Sequence, residues 1–359
     1  MMQCCYLMMA GGTGGHVFPA LAVAKELINR GAKVYWLGTQ SGMESIIVPV
    51  EDIAIKTIDV KGFRGKGWLA KLVVPFLLCK AILQSIQIIR SINPSVVVGF
   101  GGFVSAPGGI AAKLLGKKLV IHEQNSVVGL SNKLLAKFAH QKLVAFPYSL
   151  DNAIHIGNPV RSAFAQVKRN YRSDHRLRVL IIGGSLGAKA INDLMPSVFE
   201  SIDGNLRPEI WHQTGKDKIE PVQMAYRQKK VEARVQEFID DMLEAYEWAD
   251  LLICRAGALT VSEVAVVGLP AIFVPLPSAV DNHQYYNAQW LTDNEAALMI
   301  EQKNLTEEKL SQQIMKFISQ RENLEIMGKK AKRLALPDAA YKAANYCEAL
   351  CCEELCNAH

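Results

Sequence analysis

Twice in this chain a short apolar run breaks into clustered glycines and then into a helical pattern. The first instance is Cys4–Met9 followed by Gly11-Gly12-Thr13-Gly14-Gly15-His16, and the second is Arg178–Ile182 followed by Gly183-Gly184-Ser185-Leu186-Gly187-Ala188. Glycines at such a junction let backbone N–H groups approach an anion, and the start of the following helix adds a favourable dipole. The surrounding text keeps the same rhythm. Lys33–Leu37, Ser95–Val98, Lys118–Ile121 and Lys142–Ala145 in the first half, and Ile210–Gln213, Leu251–Cys254, Ala271–Val274 and Ala297–Ile300 in the second, are each separated by a helix-length segment. Repeated βα units of this kind specify an α/β chain with parallel sheets. With 359 residues, two domains are expected. The polar stretch 168–178, following Asn158-Pro159, reads as the join, giving domains at 1–160 and 161–336. The terminal helical stretch, about 337–359, is compatible with either half, including packing back onto the first.

Half of the residues are hydrophobic and 21% are charged, ample material for two cores, and the net charge is +6. That charge suits an anionic ligand or an anionic membrane surface and calls for no nucleic acid. Met1–Met9 lacks a basic leader and reads as a buried first strand rather than a signal peptide. Eight cysteines (4, 5, 79, 254, 347, 351, 352, 356) form no spaced framework, so reduced thiols in a cytoplasmic setting are expected. Cys347, Cys351, Cys352 and Cys356, with His359 behind them, lack a CxxC pair. They read as small residues on an amphipathic helix rather than a metal site. The segment Trp68–Arg90 is the most hydrophobic helix, but Lys71, Pro75 and Lys80 argue against spanning a membrane. It is either a buried helix or an apolar patch rimmed by Lys66, Lys71, Lys80 and Arg90 that lies on a membrane surface.

The first glycine loop is not a dinucleotide fingerprint, because Val17 stands where the third glycine belongs and Gly38-Thr39-Gln40 supplies no ribose-binding acid. Nor is it a P-loop, since the Gly-Lys-Ser/Thr ending is missing. A third glycine-rich stretch, Gly99–Gly109, follows the Val96–Val98 run, where ligand-facing loops of an open parallel sheet emerge. Polar residues collect at other strand ends. His122-Glu123-Gln124-Asn125 reads as a catalytic cluster or as a local hydrogen-bond network. In Arg255–Glu263, small residues allow close ligand approach, and Glu263 is either a ribose acceptor or a helix-stabilising charge. Asp281-Asn282-His283-Gln284-Tyr285-Tyr286-Asn287-Ala288 suits sugar hydroxyls or simply opens a helix.

The segments GGTGGHVFPA, GFGGFVSAPGG, HEQN, GNPVR, GGSLGAKAIN, RAGALTVSE and DNHQYYNA occur in the order of the MurG family, which the chain resembles from about Ala10 to Asn287. These are glycosyltransferase family 28 enzymes that transfer N-acetylglucosamine from UDP-GlcNAc to the C4 hydroxyl of undecaprenyl-pyrophosphoryl-muramoyl-pentapeptide, converting lipid I to lipid II in peptidoglycan synthesis. The resemblance implies a GT-B fold of two Rossmann-like domains facing a cleft, with the donor held by the second. It implies a peripheral location on the cytoplasmic face of the bacterial inner membrane, with its anionic surface. It also implies UDP-GlcNAc and the undecaprenyl-linked acceptor as substrates, and neither cofactor nor metal. By motif, Glu263 would hold the ribose, Ile239 the uracil through its backbone, Ser185 a phosphate, and Ala258, Leu259, Thr260, Val261 and Ser262 the diphosphate. Gln284 would meet the sugar, and Thr13, Gly14, Gly15, Asn125 and Arg161 would complete the donor site. Gly11, Gly12, Gly101 and Gly102 would face the acceptor's pyrophosphate. His283 stands where the family often has a second glutamine. Inversion at the anomeric carbon needs a general base and a stabilised leaving group. His16 is the first candidate base, with Glu123 or His122 behind it. Two other readings remain open from the sequence: a UDP-GlcNAc epimerase on the same frame, and a non-catalytic UDP-sugar binder.

Overall fold

A computed structural model describes residues 4–60, 68–169, 171, 175–184 and 187–357, with the side chains of 68–74 and 354–357 left aside. Ser185, Lys66 and His359, and the side chains of Lys71 and Cys356, therefore lie outside the described residues. The chain forms two compact units, Met1–Val160 with Leu336–His359, and Arg161–Ala335.

In the first unit the strands are β1 (Cys5–Met9), β2 (Lys33–Gly38), β3 (Ala54–Thr57), β4 (Val96–Gly99), β5 (Lys118–Glu123), β6 (Gln141–Val144) and β7 (Ile154–His155). The helices between them are α1 (Gly14–Asn29), α2 (Glu44–Val50), α3 (Trp68–Ile92), α4 (Ser105–Leu114) and α5 (Leu130–Leu135). The second unit has β8 (Arg178–Ile182), β9 (Glu209–Gln213), β10 (Arg234–Gln236), β11 (Leu251–Cys254), β12 (Ala271–Phe273) and β13 (Leu298–Met299). Its helices are α6 (Lys189–Glu200), α7 (Ile219–Gln228), α8 (Met242–Trp248), α9 (Ala258–Val267), α10 (His283–Thr292), α11 (Glu307–Ser319) and α12 (Glu322–Leu334). A last helix, α13 (Ala339–Asn357), returns to the first unit.

Both sheets are parallel, in the orders β3-β2-β1-β4-β5-β6-β7 and β10-β9-β8-β11-β12-β13. In each, chain order reverses beside the first strand of the unit, between β1 and β4 and between β8 and β11. Ligands of open parallel sheets bind outside the carboxyl ends at such a point, and the glycine loops emerge there. The sheet of the first unit is covered on both faces, as its unbroken apolar strands demand. Tyr6 and Met8 of β1 point toward α1 and α13, whereas Leu7 and Met9 join Ala81 and Ile89 of α3 and Ala111 and Ala112 of α4.

Ala343, Ala344 and Cys347 of α13 are buried in that first core. Arg30 clamps the helix, donating to Asn345 Oδ1 (2.7 Å) and Glu348 Oε2 (2.6 Å) and lying over the Tyr341 ring. This packing corrects the expectation of reduced thiols throughout: Cys4 and Cys351 form a disulfide with their Cα atoms 6.5 Å apart. The two are 347 residues apart in sequence, so no local spacing could reveal the pair. Cys347 is a buried free thiol and Cys352 an exposed one.

The chain around the expected join is bound to the second unit where it is described. Phe164 is buried against Tyr246, Arg169 donates to the Tyr246 and Ala249 carbonyls (2.6 and 2.5 Å), and the Tyr171 hydroxyl donates to Gly268 O (2.8 Å). Helix α3 has one buried face and one exposed apolar face. Ala81, Ser85 and Ile89 form a buried stripe at four-residue spacing, while Phe76 and Leu83 are 77% and 61% exposed. The stretch Pro75–Ile92 has a mean hydropathy of 1.2 and by length and composition alone could cross a membrane. The buried stripe on one face makes it a component of the α/β unit.

Candidate active site

On the first unit, the loop after β1 and the loop after β4 touch backbone to backbone. Gly102 has φ +76°, and a Cβ there would sit 2.3 Å from Gly11 O, so both the conformation and the space require glycine. Several N–H groups of these loops are already engaged. Gly12 donates to Glu44 Oε2 (3.0 Å), and Gly101 donates to Ser105 Oγ (3.0 Å), whose single hydroxyl hydrogen lies between Gly101 O and Met9 O. Ser131 Oγ donates to Gly102 O (2.9 Å). The amides of Gly12 and Gly101 are thus engaged within the protein. Among the described residues, the amide cradle on this side comes from the start of α1, at Gly14 and Gly15, where Thr13 is the N-cap without a side-chain cap.

His16 sits on that first helical turn, partly exposed, with Nδ1 3.1 Å from Thr13 Oγ1. When Nδ1–H donates to Thr13, Nε2 carries the lone pair that a base needs. The ring lies against Gly101, where an added Cβ would approach Nε2 to 3.0 Å.

The other two candidate bases are held in local hydrogen bonds. Both oxygens of Glu123 are occupied: Oε1 accepts from Asn125 N and Nδ2 (3.0 and 3.3 Å), and Oε2 from Gly129 N and Asn132 Nδ2 (3.0 and 2.9 Å). It is 1% exposed and braces the loop 123–132. His122 is fully buried, with Nε2–H donating to Gly157 O and Nδ1 accepting from Gln124 Nε2, and burial lowers its pKa to about 4. It is neutral at working pH with both nitrogens in use.

On the second unit, Gly187 has φ +69° and a Cβ there would meet Thr214 O at 2.1 Å, so the loop after β8 is pressed onto the end of β9. Gln213 Nε2 ties it further, donating to Gly184 O and Glu237 O. The loop after β11 enters α9 through Gly257, an N-cap with no side chain to satisfy the first amides. Val261 N already donates to Gly257 O, leaving Ala258, Leu259 and Thr260 as the open helix end. Val261 is buried and Ser262 Oγ donates to Ala258 O, so these two side chains face inward rather than toward a diphosphate.

Glu263 is half-buried one turn further on and accepts from the Tyr246 hydroxyl (3.1 Å). Burial pushes its pKa up to about 7, against the opposing pull of the Tyr246 bond and the charge of Arg161. Arg161 is exposed, with its guanidinium over the Phe164 ring at 4.7 Å. Gln284 Oε1 accepts from Ala256 N (3.2 Å) and Leu276 N (3.0 Å), so a ligand contact from this residue comes from Nε2. It follows Asp281 and Asn282, both left-handed at φ +51° and +53°, a strained pair of the sort found at ligand-binding turns. His283 Nδ1 lies 2.8 Å from Val280 O. Ile239 is in the loop between β10 and α8, just before the N-cap Asp241.

A model of the glycosyltransferase family 28 N-terminal domain matches residues 6–144, and one of the C-terminal domain of the same family matches residues 178–342. The chain belongs to glycosyltransferase family 28. Similar to this family 28 glycosyltransferase is the UDP-N-acetylglucosamine–N-acetylmuramyl-(pentapeptide) pyrophosphoryl-undecaprenol N-acetylglucosamine transferase of Cellvibrio japonicus. It is 49% identical over 95% of this chain and 97% of its own. The protein of the same name from Psychromonas ingrahamii is 48% identical over 96% and 98%. The crystal structure of Acinetobacter baumannii MurG superposes with a TM-score of 0.82 at 39% identity, covering 96% of this chain and 98% of that one.

Within this family 28 glycosyltransferase, three contributors escaped the sequence reading. Glu44 holds the Gly12 loop from 32 residues away, Gln213 holds the Gly184 loop from 29, and Tyr246 donates to Glu263 from 17. None belongs to a glycine run. The available signal was position alone, since Gln213 ends an apolar strand and Glu44 opens the helix after β2.

Proposed function

We propose that the protein transfers N-acetylglucosamine from UDP-GlcNAc to the C4 hydroxyl of an undecaprenyl-pyrophosphoryl-linked muramoyl-pentapeptide. The observation that carries the donor half is the open start of α9 with Glu263 on the same helix. Uncapped amides at Ala258–Thr260 suit a diphosphate, and a carboxylate one turn on suits the two hydroxyls of a ribose. Relatives near 48% identity that bear the transferase name support the whole reaction.

In this mechanism a single displacement inverts the anomeric carbon. The acceptor hydroxyl gives its proton to His16 Nε2, its oxygen bonds to the anomeric carbon, and the bond from that carbon to the β-phosphate oxygen breaks with UDP keeping the electron pair. The α9 amides and Arg161 offset the charge that develops on UDP. No step is routed through a metal or a redox cofactor. Glu123 supports the site only by shaping the loop that carries Asn125.

The acceptor's lipid sets the location, a peripheral attachment to the cytoplasmic face of the inner membrane. Exposed Phe76 and Leu83 on α3, with Arg90 on the same helix, suit an anionic bilayer surface.

The test is a radiolabelled UDP-GlcNAc assay with and without the lipid-linked acceptor, followed by butanol extraction. Acceptor-dependent label in butanol is expected, falling by about 10²-fold or more in His16→Ala. Label that stays aqueous while the sugar is isomerised would establish the epimerase reading instead. Full activity in His16→Ala would remove His16 as the base.

A further inference from the structure

Helix α2 opens with a carboxylate that the reaction described above does not use. Glu44 is 0% exposed. Its Oε2 accepts from Gly12 N (3.0 Å), and its Oε1 accepts from Thr39 N (2.9 Å) and Thr39 Oγ1 (2.8 Å). The chain makes room for it with three glycines. A Cβ on Gly42 would stand 2.1 Å from Oε2, one on Gly11 2.7 Å from Oε1, and one on Gly38 2.7 Å from Cγ. A buried carboxylate is costly to desolvate, and an apolar side chain could fill such a space at less expense. What the carboxylate alone can do is hold three donors from two different loops at fixed positions.

Those loops are the ones after β1 and β2. They bound a cavity of about 260 Å³ lined by Gly11, Gly12, Thr39, Gly42, Val60 and Phe103, among others. Gly12 and Thr39, two of its walls, are the two residues Glu44 binds. Gly12 sits at φ +94° with its N–H turned inward to Glu44, and Thr13–His16 follow directly. The carboxylate thus sets both the shape of the cavity and the start of the turn that carries the candidate base.

We propose that Glu44 is a positioning residue for the acceptor: through Gly12 and Thr39 it fixes the cavity on the first unit that seats the acceptor's uncharged sugar portion next to the Thr13–His16 turn. This rests on the transferase reading given above. Among the described residues no cation lies against this carboxylate, which disfavours an anion in the cavity and places the acceptor's pyrophosphate elsewhere, toward the open amides of α1.

Glu44→Gln tests the proposal with little change of volume. One oxygen still accepts from Thr39, but an NH₂ group now opposes the Gly12 N–H. The expected result is a fall of about tenfold or more in kcat/KM for the lipid-linked acceptor, with the KM for UDP-GlcNAc changed by less than about twofold. Thr39→Val removes only the Oγ1–H bond and should lower the same acceptor parameter by about threefold, which keeps the proposal testable if Glu44→Gln does not fold. Acceptor kinetics unchanged in the folded variant overturn the proposal. So does an equal loss on the donor and acceptor sides together with a lowered Tm, since that marks a brace with no role in acceptor recognition. If the unmodified protein transfers nothing to the lipid-linked acceptor, it is the transferase reading that fails.

Discussion

Glu263 makes donor binding sensitive to pH in a way that can be worked out from its surroundings. Its pKa stands at about 7 because burial outweighs the Tyr246 hydroxyl and Arg161. Ribose hydroxyls are donors and bind the ionised carboxylate. With a pKa near 7, about a tenth of the molecules are ionised at pH 6 and about nine-tenths at pH 8, so UDP-GlcNAc affinity should rise by about tenfold across that interval. Binding at pH 6 should release close to one proton. Calorimetric titration in two buffers of different ionisation enthalpy reads both quantities, and UDP-GlcNAc serves better than UDP because its diphosphate does not titrate in this range. In Glu263→Gln the affinity should be low and flat with pH. The corresponding effect on folding has a definite sign. A folded-state pKa raised above 4.5 contributes stability below that pH, which is lost as pH rises through about 7, by at most about 3 kcal/mol. Affinity that is flat between pH 6 and 8 in the unmodified protein, or a slope that survives in Glu263→Gln, would refute the assignment of this carboxylate to the ribose.

Gly102→Ala should lower the stability of the first unit by about 2 kcal/mol or more, because the new methyl meets Gly11 O at 2.3 Å in a left-handed conformation. Thermal unfolding measures this, and UDP-GlcNAc binding to the folded protein should persist. Replacing Phe76 and Leu83 together by Ser should weaken co-sedimentation with anionic vesicles by about tenfold or more, as two exposed apolar side chains lose their membrane burial. Activity toward detergent-solubilised acceptor should stay unchanged. Maleimide labelling of the denatured, unreduced protein should count two fewer thiols than after reduction, and Cys351→Ser should abolish that difference.

The central strands were legible because they are buried on both faces and read as unbroken apolar runs, as Val96–Val98 and Leu251–Cys254 do. The edge strands β3 and β10 were not, since Ala54–Thr57 and Arg234–Gln236 are short and carry polar residues that face solvent. The glycine loops were legible, but the direction of each amide was not. A sequence shows that a glycine is present, not whether its N–H points to a ligand or, as at Gly12 and Gly101, to a neighbouring side chain. His122-Glu123 looked catalytic because a polar pair at a strand end has the same text whether it faces substrate or braces a loop. Only the four donors on Glu123 separate the two. Glu44 was invisible for the converse reason, a solitary acid whose role depends on Gly11 and Gly12 from a distant loop as well as on nearby Gly38 and Gly42.

Helix α13 closes the first unit with residues made after the whole second unit. On the ribosome, β1 to β7 emerge first, yet the part of that sheet's face awaiting Ala343, Ala344 and Cys347 beside α1 stays uncovered until α13 has been made. The second unit, encoded without interruption from Arg161 to Ala335, can finish its core earlier. The order of maturation is therefore the reverse of the order of translation. A nascent chain stalled before residue 339 should present a sticky, chaperone-dependent first unit beside a completed second one.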